Sequence, residues 1–368
     1  MMERYVVLEK KVGETPLSCA EAWRAAHQEL AGVPLAYAGR LDPMASGKLL
    51  VLVGEECKNQ TAYHGLDKAY NFSVLFGIES DTQDVLGRLK TCAILSVVPV
   101  SEMRASRYLW GDAFRKLVRP HHRSSTAAEP SEDGDNQLSD WVRLGLAPRS
   151  AQSESSIVDR PSDVSTKVAR STFETRPAGE VIRDAFQKQS SQLQPAGLVE
   201  ELQKICGDLI GNIKLPYPLF SAKTVQGKPL HMWTLEGRLA EIEIPTKESR
   251  IYSLVLTEIE TLTREQVADQ ARAKIDTIPE VTDPRKALGA DFRRAEVRAD
   301  WEQIKNDSSL PSAYTIAHFS CVASSGTYMR TLASVIAKKF GTCGLAWHID
   351  RTHIGKYSKE NSRWDLEY

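Results

Sequence analysis

The 368-residue chain has almost no net charge, because 47 lysines and arginines are matched by 48 aspartates and glutamates. A basic total would indicate a nucleic-acid partner; its absence argues only weakly against one, since a local basic patch can be masked. The sequence also lacks any stretch long and apolar enough to span a bilayer. Its start, MMERYVVLEKK, lacks the apolar core of a secretion signal. These absences exclude a membrane-spanning protein and predict a cytoplasmic one.

Cysteine is scarce and scattered. No pair has the spacing of a metal site or of a redox motif. We therefore expect reduced, mostly buried thiols and no metal centre. The six positions are Cys19, Cys57, Cys92, Cys206, Cys321 and Cys343.

Hydrophobic periodicity predicts an α+β fold. Strands are predicted at 4–10, 48–53, 68–78, 251–262, 313–323 and 347–358, and helices at 16–32, 197–211 and 324–341. A capping box of Ser18 and Glu21 and a stop at Gly32 bound the first helix. A strand pair that turns at Gln226-Gly227 is also predicted, and alternation places Tyr70, Phe72, Val74 and Phe76 on one face of the strand at 68–78. Strands and helices alternate without a βαβ repeat, so we expect a central mixed or antiparallel sheet flanked by helices.

Two stretches differ from this pattern. Residues 97–195 are rich in Ser, Arg, Asp, Glu and Pro and poor in core formers, which predicts a low-complexity, partly disordered insertion. Residues 263–310 predict a shorter helical insertion. One domain is then expected to comprise 1–96 and 196–368, with the shorter insertion inside it.

The segment GRLDPMASGKLLVLVG, residues 39–54, places a lone acid on a glycine-rich turn just before a buried strand. Asp42 in such a turn has two interpretations. A carboxylate commonly caps a turn by accepting backbone N–H bonds. It can also be a nucleophile or an acid/base held rigidly at the end of a strand. The residue types alone do not decide between the two.

The wider pattern resembles the pseudouridine synthases, whose catalytic motif is similar to this segment. Pro43 and Ala45 are typical of the TruB branch, the tRNA pseudouridine-55 synthases. Further blocks follow in family order: LEKKVGETP, YPLFSAKTVQGKPLHMWTLEG, and SSGTYMRTLA with DRTHIG. The resemblance covers residues 4–90 and 196–357. It implies the pseudouridine-synthase fold.

The resemblance also implies a chemistry. Family members break the bond between uracil and ribose, rotate the base and rejoin it through carbon, without a cofactor. Asp42 matches the nucleophile, which attacks either the sugar or the base. Arg330 matches the arginine that pairs with it, and a cation is needed there because a carboxylate in a closed site would otherwise take up a proton. Tyr70 matches a tyrosine stacked on the flipped uracil. The plain alternatives are an exposed helical arginine and a core tyrosine.

Five more positions are predicted to bind substrate by the same resemblance. Gly39 and Arg40 belong to the catalytic turn. Lys10 occupies the place of an active-site lysine and Ile349 that of a pocket-lining leucine, although both could be surface or core residues. Tyr37 stands where the family has a histidine against the RNA. We expect Tyr37 to stack on bases during remodelling of the RNA; the alternative is packing in the core.

The implied substrate is a uridine of the tRNA T loop, position 55, bound through the T arm with no protein partner required. The chain departs from the family at Phe220, where a tyrosine is usual, and at Asp350, where an arginine is usual. We also expect the family's C-terminal RNA-binding domain to be missing.

Two alternative functions remain. A guide-directed pseudouridine synthase of other RNA would need that missing domain and protein partners. A non-catalytic tRNA-folding chaperone would not need Asp42, Tyr70 and Arg330 intact.

Overall fold

The structure is a computed structural model that describes residues 4–92, 195–281 and 291–368. All of these residues lie in one compact unit. Most of the predicted insertion at 97–195 lies outside the described residues. In the described part of the chain, no helix combines the length and the apolar composition that a membrane crossing requires.

A nine-stranded mixed sheet forms the centre of this unit. The strands of the described residues are β1 Tyr5–Lys10, β2 Leu35–Tyr37, β3 Ala45–Val53, β4 Asp67–Phe76, β5 Ile78–Ser80, β6 Leu89–Thr91, β7 Gly211–Pro216, β8 Thr224–Val225, β9 Lys228–Pro229, β10 Thr246–Thr263, β11 Ala313–Ala323, β12 Gly344–Ser358 and β13 Arg363–Glu367. Strands β5 and β6 form a separate two-stranded sheet, and so do β8 and β9. The sheet order is β1-β3-β12-β4-β11-β10-β7, with β2 beside β3 and β13 beside β12. Strands β3 and β12 run parallel, whereas the other paired strands are antiparallel. The predicted α+β class with a mixed sheet is confirmed.

Helices cover both faces of the sheet. They are α1 Pro16–Ala25, α2 Gln60–His64, α3 Pro195–Leu209, α4 Leu230–Leu235, α5 Arg264–Asp276, α6 Arg294–Asn306 and α7 Met329–Lys339. Successive side chains of a strand point to opposite faces. On β4, Phe72 and Val74 pack with buried residues of α3 and α7. Leu75 points the other way and packs with α5 and α6. The central strands are therefore buried between two helical layers.

Several local predictions hold. The apolar face of β4 joins the core as the alternation indicated. The hairpin at Gln226 and Gly227 is present between β8 and β9. Both residues have positive φ, 49° and 78°, as a tight two-residue hairpin turn requires. Strand β13 was not predicted.

The predicted bounds of the first helix are wrong. Thr15, not Ser18, is the N-cap: its side chain accepts from Ser18 N, and the Ser18 side chain accepts from Thr15 N. The helix ends at Ala25, well before Gly32, and His27 Nδ1 lies 2.8 Å from Trp23 O. That ring satisfies one of the carbonyls left open at the helix end, so the chain can leave the helix there.

The prediction of reduced thiols is wrong for one pair, because Cys92 and Cys343 form a disulfide. Gly77 explains their approach: its N–H donates to Cys343 O and its carbonyl accepts from Cys92 N. These bonds bring the two Cα atoms to 6.0 Å across a sequence separation of 251 residues. Inspection of cysteine spacing cannot detect such a pair. The other four are free: Cys19, Cys57, Cys206 and Cys321.

Candidate active site

The Asp42 turn connects β2 to β3 and is supported by contacts with β12 and Lys10. Gly39 and Gly47 both have positive φ, 88° and 102°, which a side chain would strain. A Cβ on Gly47 would lie 2.3 Å from Arg351 O, so the turn rests directly on β12. Lys10 is fully buried, and its ammonium donates to Ala45 O and Pro43 O. Lys10 therefore supports the turn.

Asp42 and Arg330 form a bidentate ion pair. The guanidinium Nε lies 2.8 Å from Asp42 Oδ2, and Nη2 lies 3.2 Å from Oδ1. The Arg330 side chain is 6% exposed, whereas the Asp42 side chain is 42% exposed. The cation is thus enclosed while the carboxylate stays open to a ligand. The bidentate pair therefore fixes the position of the carboxylate, as a nucleophile requires.

Arg330 is the second residue of α7. The N-cap is Tyr328, which makes no capping side-chain bond, and Thr327 Oγ1 instead donates to Ser324 O. A cation in the first turn is unfavourable to the helix dipole. Carboxylates beside it compensate. Burial opposes the charge on Arg330, but Asp42 and Asp84 outweigh it and raise the pKa of the guanidinium.

Asp84 is a site residue that the sequence reasoning missed. It is 5% exposed, and its Oδ2 lies 4.0 Å from Arg330 Nε. Its other oxygen accepts from Thr82 Oγ1 at 2.6 Å and from Leu86 N at 3.0 Å. Burial raises the pKa of Asp84, and Arg330 opposes that rise. Thr82 O also accepts from Arg330 Nη1 at 2.7 Å. The connection between β5 and β6 thus supplies a second set of contacts that fix the guanidinium.

Tyr70 is partly exposed and packs against the core cluster that contains Phe72 and Ile349. In the sheet it pairs with Arg351 on β12 and Cys321 on β11. Burial raises the pKa of the Tyr70 phenol, while Arg351 opposes that rise by charge and by a hydrogen bond. The side chain is therefore held by core contacts while part of it stays exposed. Ile349 is itself a core residue, 6% exposed.

Lys68 and Arg351 were also missed, although both lie inside the blocks that carry the resemblance. Arg351 Nε donates to Lys48 O at 2.8 Å, and Nη2 donates to Gly39 O at 3.4 Å. One guanidinium thus joins both ends of the Asp42 turn. Lys68 lies close to Gly39 as well. No feature of the sequence other than position within these blocks would have singled them out.

Two predicted substrate-binding residues lie in different surroundings. Arg40 is exposed on the turn. Tyr37 packs against a small core cluster that contains Leu49 and Val51. Among the described contacts, none joins Tyr37 to Asp42. The packing favours the core alternative for Tyr37, and its stacking on RNA stays a prediction.

One group in the described ranges, Glu79, Cys92 and Cys343, brings three potential metal ligands within 4.8 Å of one another. Its two sulfurs are joined in the disulfide. The geometry thus offers no ready thiolate pair.

Comparison with known proteins finds sequence similarity in the N-terminal part of the chain. Residues 30–109 match the model of the TruB family pseudouridylate synthase (N terminal domain). The tRNA pseudouridine synthase B of Bradyrhizobium diazoefficiens is 36% identical over 104 residues, which cover 28% of this chain and 27% of the relative. That of Aquifex aeolicus is 30% identical over 88 residues, covering 24% and 30%. The chain thus spans under a third of the length of these relatives.

Solved structures similar to the chain include a Cbf5-Nop10-Gar1 complex, at 11% identity with a TM-score of 0.38, covering 95% of this chain and 48% of that one. Another is an H/ACA RNP bound to a substrate RNA containing 2'-deoxyuridine, at 9% identity with a TM-score of 0.35, covering 95% and 46%. The sequence matches over the N-terminal region confirm that this chain resembles the TruB family of pseudouridine synthases.

Proposed function

We propose that this chain converts a uridine of RNA to pseudouridine, with Asp42 as the nucleophile. The observation that carries the proposal is the bidentate pair between an open Asp42 carboxylate and an enclosed Arg330 guanidinium. A nucleophile must be ionised and fixed in position, and this pair supplies both conditions. The rigid glycine turn keeps bulky side chains away from the nucleotide.

The remaining residues act around this pair. The guanidinium stays charged throughout the reaction cycle. The Tyr70 ring offers an aromatic face on which a flipped base can stack, which is a common means of binding RNA. Asp42 attacks either the sugar or the base, and the N1–C1′ bond breaks. The uracil then rotates and its C5 bonds to C1′ while the bond to Asp42 breaks. C5 loses its proton and N1 takes one up, so the product is an isomer of the substrate and no cofactor takes part.

The proposed substrate is uridine 55 in the T loop of tRNA, in the cytoplasm, without a required protein partner. The matched relatives named tRNA pseudouridine synthase B support tRNA as the substrate. Because the T-loop base is buried in the folded elbow, the enzyme must flip it out, at a cost of a few kcal/mol. Recognition then rests mainly on the shape and phosphates of the T arm.

The test is to incubate purified protein with unmodified tRNA transcript and map pseudouridine. We expect one modified position in the T loop, and none when uridine 55 is replaced by cytidine. Modification elsewhere only, or only when a guide RNA and partner proteins are added, would favour a guide-directed synthase. Tight tRNA binding without any product would favour a tRNA-folding chaperone.

A further inference from the structure

Two cations beside the catalytic turn are buried and have no ion-pair partner among the described residues. Lys68 is 5% exposed and Arg351 is 1% exposed. The Lys68 ammonium donates to Leu66 O, to His64 O at 3.3 Å and to Ser325 Oγ at 3.4 Å. Arg351 donates to two carbonyls of the turn and its flank. Over residues 4–92, 195–281 and 291–368, neither side chain forms an ion pair with a carboxylate.

Arg330 shows the contrast. It is buried to the same degree but lies between Asp42 and Asp84. A buried charge without an opposite charge is unfavourable even when its hydrogen bonds are made. In Lys68 this cost is visible, since burial and the neighbouring Arg351 lower its pKa to about 8. A ligand that supplied a negative charge here would remove the imbalance.

The two cationic groups converge on the space above Gly39. The point where a Cβ of Gly39 would stand lies 3.6 Å from Arg351 Nη1 and 4.0 Å from Lys68 Nζ. The three nearest atoms to that point all belong to these two side chains. Because residue 39 is a glycine, no side chain of its own occupies this point, where a Cβ would make ordinary van der Waals contacts with both side chains. Gly39 is three residues from Asp42, and Arg351 pairs with Tyr70 in the sheet.

We propose that Lys68 and Arg351, which meet beside Gly39, form a subsite for one backbone phosphate of the RNA beside the reacting nucleotide. This proposal rests on the proposed function. It identifies the positive charges that would hold the RNA backbone against the Asp42 turn. Lys68 makes the direct contact, because its 3.4 Å bond to Ser325 Oγ is long and easily exchanged for a phosphate oxygen. Arg351 stays in place and contributes its charge.

The test asks whether one side chain, Lys68, and one RNA phosphate contribute to the same interaction. Binding of a T-arm stem–loop is measured with RNAs that each carry a single neutral methylphosphonate at a different loop linkage. We expect wild-type protein to lose about tenfold in affinity at one linkage near the target uridine. Lys68→Gln should bind the unmodified RNA about tenfold more weakly and be insensitive to that same linkage. The slope of log affinity against log salt should fall by about 0.7–0.9.

Lys274→Gln is the matched control. Lys274 also has a lowered pKa, about 7, and donates to a carbonyl, that of Trp347. Its loss removes the same charge from helix α5, so the salt slope and the linkage dependence should stay as in wild type. Lys68→Arg keeps the charge and should keep the dependence on the same linkage.

Equal losses of affinity for every RNA with Lys68→Gln, with an unchanged salt slope, would overturn the subsite and leave Lys68 as a support of the turn. The same holds if Lys68→Arg loses the linkage dependence while binding remains. Failure of the proposed function is seen separately, because it appears as RNA binding by wild-type protein without pseudouridine. Product formation without any linkage-specific effect rejects only the subsite.

Discussion

At the scale of single residues, the first prediction concerns the exposed Asp42 carboxylate, which pairs with the buried Arg330 guanidinium. Asp42→Asn keeps the shape of the side chain and removes the nucleophile. We expect product formation to be abolished while tRNA binding stays nearly intact, because the amide still fits the turn. Single-turnover assays and filter binding would measure the two effects. Turnover above a few per cent of wild type would contradict the assignment of Asp42.

The buried Lys10 predicts a pH dependence of the free energy of unfolding. Burial lowers its pKa to about 8, whereas an unfolded lysine titrates near 10.4. Between these values the unfolded chain binds more protons, so stability rises with pH in that window. Lys10→Met removes this effect. The free energy of unfolding of wild type relative to Lys10→Met should therefore increase by up to roughly 3 kcal/mol from pH 8 to 10.5. Urea titrations at several pH values measure it; a constant difference would show an ordinary lysine pKa.

Tyr37 tests packing against RNA binding. Because it contacts the cluster of Leu49 and Val51, we expect Tyr37→Ala to lower the free energy of unfolding by about 1–3 kcal/mol. Tyr37→His should lower it less, with activity per folded molecule unchanged in both variants. If histidine is tolerated and alanine lowers kcat/KM without a shift in Tm, the side chain stacks on RNA as the sequence predicts.

At the scale of elements, most strands were predictable, since alternation along β4 and β11 reflects which side of each strand is buried. The contact between Asp42 and Arg330 was predictable because both residues lie in motifs that resemble the family. Asp84 was not, because its role depends on the β5–β6 connection folding onto α7. The pair of Cys92 and Cys343 was hidden for the same reason. Contacts between distant segments leave no local pattern in the sequence.

The disulfide links the end of β6 to the start of β12, so we expect it to contribute to the stability of the fold. Cys343→Ser removes a crosslink between distant parts of the chain, which typically costs 2–4 kcal/mol, so Tm should fall by several degrees. A reductant should lower the Tm of wild type similarly and leave Cys343→Ser unchanged. Cys57→Ser, at a free and partly exposed cysteine, is the control and should respond to reductant like wild type. Equal Tm values with and without reductant would show that the link contributes nothing.

At the scale of the whole molecule, the described residues form their own core on both faces of one sheet. The Asp42–Arg330 pair, the neighbouring Asp84 and the proposed subsite of Lys68 and Arg351 all come from these residues. Each helical layer is needed, since α7 presents Arg330 from one face, while α5 and α6 cover the other. The motifs that resemble the family are independent of residues 97–195, because they lie outside that segment in the sequence.

That independence predicts the result of a large deletion. Replacing 97–195 with a short Gly/Ser linker should leave a folded and active enzyme, because the motifs that resemble the family lie outside this segment. Changing the length of a loop alters the closure entropy only with the logarithm of length, so the stability should change by about 1–2 kcal/mol. Thermal unfolding and pseudouridine mapping on tRNA measure the two properties, with the full chain assayed alongside. An insoluble variant would place part of the core in the segment. A folded variant that binds tRNA poorly and modifies none would place part of the RNA-binding surface there.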